Sequence, residues 1–117
     1  LVAAYRERLW RLDPLLLPVD DAEHGDPAWH LFVVRIDFEK AGVTRAEVMR
    51  RLAEAGIGSQ VHYIPVHRQP YYAARYPGTH LPGADAYYAK CLSLPLFASM
   101  TEDDVERVCV ALKAALA

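Results

Sequence analysis

Two histidines, three tyrosines and two prolines fall within twelve residues, Val61 to Tyr72, VHYIPVHRQPYY. Imidazole is both a common metal ligand and a base that titrates near neutral pH, so His62 and His67 suggest two chemistries, with His80 a third candidate ligand. Neither chemistry is complete in this stretch. No acidic residue or thiolate lies between the two histidines to finish a metal site, and a general base needs an orienting carboxylate that sequence does not reveal. The alternative is structural: the tyrosines pack a corner while the histidines cap strand ends. Prolines fix backbone angles and remove donors, so the stretch is neither a helix interior nor a central strand throughout.

Other candidates weigh toward structure. Tyr87, Tyr88 and Lys90 could line a pocket, but helical spacing puts part of that set on a core face. Arg45, Arg50 and Arg51 read as a solvated helix face. Cys91 and Cys109 lack CxxC spacing and sit in apolar-periodic segments, so they read as small core residues, with a cross-link between them left open. No phosphate-cradling glycine loop, nucleophile elbow or paired-carboxylate motif occurs. The chain has no self-contained catalytic set, so if it belongs to an enzyme the rest of that enzyme must supply the chemistry.

The elements that must hold these residues follow from periodicity and punctuation. Val2, Tyr5, Leu9 and Leu12 recur at helical spacing. Asp13-Pro14 and Pro18 end that pattern, and a polar connection with Asp20, Asp21, Glu23, His24, Gly25 and Asp26 runs to Pro27. WHLFVVRIDF is a nearly continuous β-branched and aromatic run, predicting a strand covered on much of both faces. Thr44 and Glu47 have capping-box spacing ahead of a helix whose stripe is Val48, Met49, Leu52 and Ala53, with Gly56 as its stop. A second strand is expected over Ser59 to Ile64, leading straight into the histidine segment. Pro65 to Pro82, with four prolines, predicts a long excursion rather than regular structure. A short helix over Ala84 to Leu92 follows, then LSLPLF as an edge or interrupted strand because of Pro95. Thr101 to Asp104 caps a last helix with Val105, Val108, Cys109, Leu112 and Leu116 on one face. The sum is an α+β fold, a small sheet of about three strands with helices packed on one side.

The whole chain has 117 residues, 53% of them hydrophobic, which is one domain with enough apolar mass for a core. Thirteen basic and fifteen acidic residues give a net charge of -2 with no basic run, so no nucleic-acid partner is expected. No apolar stretch nears the ~20 residues of a membrane span and no signal pattern opens the chain, which leads to an expectation of a cytoplasmic protein without a membrane partner. The first residues already run at helical spacing with no Met and no cap, so a piece of a longer protein is expected.

Three ordered segments, HLFVVRID, TRAEVMRRLAEAGIGSQVHYIPVHRQPYY and AYYAKCLSLPLFASMTEDDVERV, resemble the C-terminal small domain of the DegT/StrS family of sugar aminotransferases. The branch most similar is the one that aminates UDP-4-keto-6-deoxy-N-acetylhexosamines on the route to pseudaminic acid. The resemblance runs from about Trp29 to the end, and it implies that residues 1–12 are the end of an interdomain helix, 13–28 a connection and 29–117 the small domain of a fold-type I aminotransferase. In that family a large domain, absent from this chain, holds pyridoxal phosphate on a lysine, and an amino group passes from glutamate to a nucleotide-linked keto sugar in a homodimer. Lys40, Lys90 and Lys113 match no cofactor-binding motif, so no cofactor and no turnover are expected of these 117 residues alone. The resemblance further implies that His62, Tyr63, His67, Gln69 and Tyr71 contact substrate in one wall of the cleft, with prolines holding them in place beforehand. A stand-alone binding module and a small His-rich metal protein are the competing readings.

Overall fold

Phe32, Val34 and Ile36 are completely buried while Arg35 between them is exposed, so strand β2 (Phe32–Ile36) turns one face to the core. The computed structural model describes residues 1–16, 25 and 27–117. The polar connection expected around Asp20, Asp21, Glu23, His24 and Asp26 lies outside them. Strand β1 (Leu15–Leu16) pairs antiparallel with β2, Leu15 opposite Ile36. Strand β3 (Cys91–Leu94) pairs antiparallel on the other side, Phe32 opposite Leu94 and Val34 opposite Leu92, giving the order β1-β2-β3. Directly opposed residues share a face. Phe32, Val34, Leu92 and Leu94 therefore point into the core, while Val33, Arg35, Cys91 and Ser93 belong to the other face.

Three helices close over the first face: α1 (Val2–Leu9), α3 (Arg45–Glu54) and α6 (Glu102–Leu116). Tyr5 and Leu9, Val48 and Leu52, and Val105, Val108, Cys109 and Leu112 join the strand residues in one core cluster. A short helix α2 (Phe38–Ala41) follows β2, capped by the Asp37 carboxylate on the Lys40 amide. The α+β fold with a small sheet and helices on one side is thus the one expected. Tyr5 stacks on Phe32 with ring centroids 4.6 Å apart, and its hydroxyl donates to the Pro95 carbonyl at 2.7 Å. Burial holds the Tyr5 phenol well above its usual range.

Several local expectations need correction. The strand predicted over Ser59 to Ile64 reduces to one bridge, Gln60 opposite Ser93, because the backbone leaves the sheet immediately after Gln60. The second face of strand β2 is only partly covered, with Val33 half-buried and Arg35 exposed. Within the proline-rich excursion lie a 3-10 turn (Val66–Arg68) and helix α4 (Pro70–Arg75), and α5 spans Pro82–Lys90. Pro70 and Pro82 each open a helix, at the position where a missing N–H costs nothing. In α3, Ala53 is exposed, leaving Val48 and Leu52 as the buried stripe with Met49 half-buried. Thr44 accepts from the Glu47 amide, while the Glu47 carboxylate pairs with Arg51 at 3.0 Å. The full reciprocal cap occurs instead at Thr101, whose hydroxyl accepts from the Asp104 amide as Asp104 accepts from the Thr101 amide at 2.9 Å.

That cap carries a stability prediction. Thr101→Ala should cost about 1 kcal/mol in urea unfolding at neutral pH. The Thr101 amide, then its hydroxyl, hold the Asp104 carboxyl below its ordinary value. Its contribution is therefore full above the ordinary carboxylate range and lost as pH falls through the lowered folded value. The stability difference between the parent and Asp104→Asn should accordingly be constant near neutrality and shrink below about pH 4. A difference that does not change with pH would remove the box from the account of α6.

Candidate substrate-facing site

The histidine segment is anchored at one point of the sheet edge. Gln60 and Ser93 exchange backbone hydrogen bonds of 2.8 and 3.2 Å, and His62 then places Nδ1 2.7 Å from the Ser93 hydroxyl. Ser93 is 4% exposed, the one buried polar residue among those described. The His62 ring stands edge-on to Tyr63, centroids 4.6 Å apart. His62 and Ser93 line a shallow pocket of about 220 Å³ together with Gly58, Gln60 and Pro95.

His67 belongs to a second pocket of about 310 Å³, lined with Val66, Tyr72, Tyr76, Thr79 and Leu81. Its side chain is 9% exposed, and Nε2 faces both oxygens of Asp85 at 3.3 Å. The buried Nδ1 has no hydrogen-bond partner among the described residues. Asp85 sits in the first turn of α5 and also meets Arg68 at 3.5 Å. Arg45, expected on a solvated face, instead donates to the Tyr88 and Cys91 carbonyls and lies over the Tyr88 ring, 4.7 Å from its centroid. Arg68 approaches the same ring at 5.5 Å. Helices α3 and α5 and the histidine segment are thereby tied together, because a guanidinium can satisfy carbonyls and stack on an aromatic face at once.

The five expected site residues are not gathered into one cavity. His62 and His67 lie in separate pockets. The Gln69 amide donates to the Ile64 carbonyl at 3.3 Å, bracing its own loop. Tyr63 and Tyr71 project outward, 71% and 66% exposed, and Tyr71 meets Tyr72 edge-on at 5.2 Å. Ser93 and Asp85 are the partners that sequence reasoning missed. Asp85 carried one usable signal, an acid three residues after a proline that opens a helix, but nothing that tied it to His67. Among the described residues no three His, Cys, Asp or Glu side chains converge as a metal site would require, and no helix is long and apolar enough to cross a membrane. Cys91 and Cys109 are buried and unpaired.

None of the three lysines lines either of these pockets. Lys40 pairs with Asp13 and Lys90 with Asp37, each at 2.6 Å on the surface, and Lys113 is exposed on α6. Lys90, then the Lys40 amide, hold the Asp37 carboxyl below its usual range.

Solved structures share this fold. DesI, solved with its TDP-sugar product, is 31% identical over 98% of this chain with a TM-score of 0.83. DesV of S. venezuelae, solved with a ketimine intermediate, is 34% identical over 98% with a TM-score of 0.83. PseC of Helicobacter pylori, an aminotransferase of pseudoaminic acid biosynthesis, superposes over 98% at a TM-score of 0.86 but at 19% identity, a likeness of fold alone. The chain spans only 29% of DesI and 30% each of DesV and PseC. The sequence profile of one family matches residues 1–113, nearly the full length in which these elements were found. With that match and with the identities to DesI and DesV, the chain belongs to the DegT/DnrJ/EryC1/StrS aminotransferase family.

Proposed function

We propose that residues 29–117 form the small domain of a pyridoxal-phosphate-dependent aminotransferase that moves an amino group from glutamate to a nucleotide-linked 4-keto-6-deoxy sugar. Residues 1–12 end the helix joining it to a cofactor-bearing large domain, and the working unit is a cytoplasmic homodimer. Two buried unpaired thiols are in keeping with a reducing compartment. The observation that carries the reading is the family match over residues 1–113. The sequence resemblance implies UDP-4-keto-6-deoxy-N-acetylhexosamine as acceptor. Identity of 31% to DesI, solved with its TDP-sugar product, supports a TDP-linked counterpart. In this reading the cofactor belongs to the large domain, so the 117 residues alone should show no transfer.

In this reading His62, Tyr63, His67, Gln69 and Tyr71 face the sugar nucleotide from one wall of the cleft. The exposed rings of Tyr63, Tyr71, Tyr72 and Tyr76 find their cover in substrate, the large domain or the neighbouring subunit. The test is glutamate-dependent amination of UDP- and TDP-linked acceptors by the full-length enzyme. His62→Ala and His67→Ala should each lower kcat/KM for the sugar roughly 2- to 13-fold, the worth of one hydrogen bond, and leave cofactor binding intact. Absence of transfer to either acceptor overturns the function. Parental sugar kinetics in both variants overturns the site.

A further inference from the structure

We infer that Ser93 is a positioning residue for His62, fixing the imidazole as the tautomer that carries its proton on Nε2 and so offers a hydrogen-bond donor to the sugar nucleotide. The inference rests on the reading above for the ligand, and on geometry for the rest. Ser93 lies on an edge strand whose other side holds only the Gln60 bridge, and its backbone N–H and C=O are both used by that bridge. One residue therefore fixes the chain at Gln60 and, two positions on, the ring of His62 at 2.7 Å. No longer ladder holds this segment to β3, because the backbone departs after a single pair.

The direction of the Ser93–His62 bond follows from satisfaction of donors. Among the described residues, His62 is the one partner of the Ser93 hydroxyl. Were Nδ1–H the donor, the serine proton would have no protein acceptor among the described residues, on a residue only 4% exposed. An orphaned buried donor costs more than an oxygen with spare lone pairs. The hydroxyl therefore donates and Nδ1 accepts, which puts the ring proton on Nε2. The state of the second nitrogen of a histidine is set in this way by the bond its first nitrogen makes.

The experiment uses the full-length enzyme with Ser93→Ala, His62→Ala and the double variant, and ¹⁵N spectra of the histidine ring nitrogens. Ser93→Ala should lower kcat/KM for the sugar roughly 2- to 10-fold, leave the glutamate half-reaction unchanged and alter the His62 Nδ1 signal. The double variant should be no worse than His62→Ala, since a residue acting through another adds nothing once that other is gone. Ser93→Thr and Ser93→Val differ chiefly in the hydroxyl, and Thr should retain the function that Val loses. This pair also serves if Ser93→Ala fails to fold. Additive losses, or a His62 ring spectrum unchanged in Ser93→Ala and Ser93→Val, overturn the inference. If His62→Ala keeps parental sugar kinetics, the sugar contact fails, while parental ring signals of an unprotonated Nδ1 and a protonated Nε2 still uphold the tautomer assignment and the reverse pattern overturns it.

Discussion

Replacing Phe32 by alanine is expected to lower the unfolding free energy by about 3–5 kcal/mol, the range for truncating a fully buried aromatic ring. Phe32 is wholly inaccessible, stacks on Tyr5 with an interplanar angle of 12°, and lies opposite Leu94 in the sheet. Its ring is thus shared by α1, β2 and β3, and no single neighbour can move in to fill the void. A domain of this size is stable by only about 5–15 kcal/mol, so the variant should approach marginal stability. Val33→Ala, on the other face of the same strand, should cost much less. Equilibrium urea unfolding followed by two probes measures both. A loss below about 1 kcal/mol for Phe32→Ala would mean that the Tyr5–Phe32 layer is not the centre of the core.

Alkaline pH should destabilise the chain through its buried acids. Burial, reinforced by Glu106 and opposed by Lys113 and Arg8, pushes the Cys109 thiol from an ordinary 9.0 to about 11. The unfolded chain gives up that proton near pH 9 and the folded chain keeps it, so between the two values the unfolded state binds fewer protons. The contribution is full below pH 9 and declines as pH rises toward 11, with a slope of up to about 1.4 kcal/mol per pH unit for one group. Burial raises the Cys91 thiol and the Tyr5 phenol in the same direction. Cys109→Ala should therefore start less stable at pH 8 and lose less between pH 9 and 10.5. Parallel pH profiles for parent and variant would show that the thiol is solvated in the native state.

Where the sequence was legible, the physics was local. Helix α6 announced itself because Thr101 and Asp104 complete a cap within one turn and Val105, Val108, Cys109 and Leu112 repeat on one face. Strand β2 and the part of β3 just before Pro95 were legible for the same reason, whereas Cys91 and Leu92, the expected end of the preceding helix, open β3 instead. Helix α4 was hidden because Pro70 reads as a breaker, although at the first position of a helix it favours the turn that follows. The expected strand at Ser59 to Ile64 failed from the opposite cause: its residues suit a strand, but only Gln60 has a ladder partner. The candidate site was legible in residue type and not in arrangement. His62 meets Ser93 across 31 positions and His67 meets Asp85 across 18. Neither pair lies within one element, so no period within an element encodes it.

The pairing of α1 with α6 has a consequence for how the chain is made. Tyr5 finds its acceptor on Pro95, and Arg8 meets Glu106 at 2.6 Å, partners 90 and 98 positions away. At a synthesis rate of about 5–20 residues per second, α1 leaves the ribosome roughly 5–20 s before α6 exists to cover it. During that interval Leu9 and the Tyr5 hydroxyl lack partners that they have in the finished fold. The face that α1 turns toward α6 is thus open to chaperones until the final helix emerges.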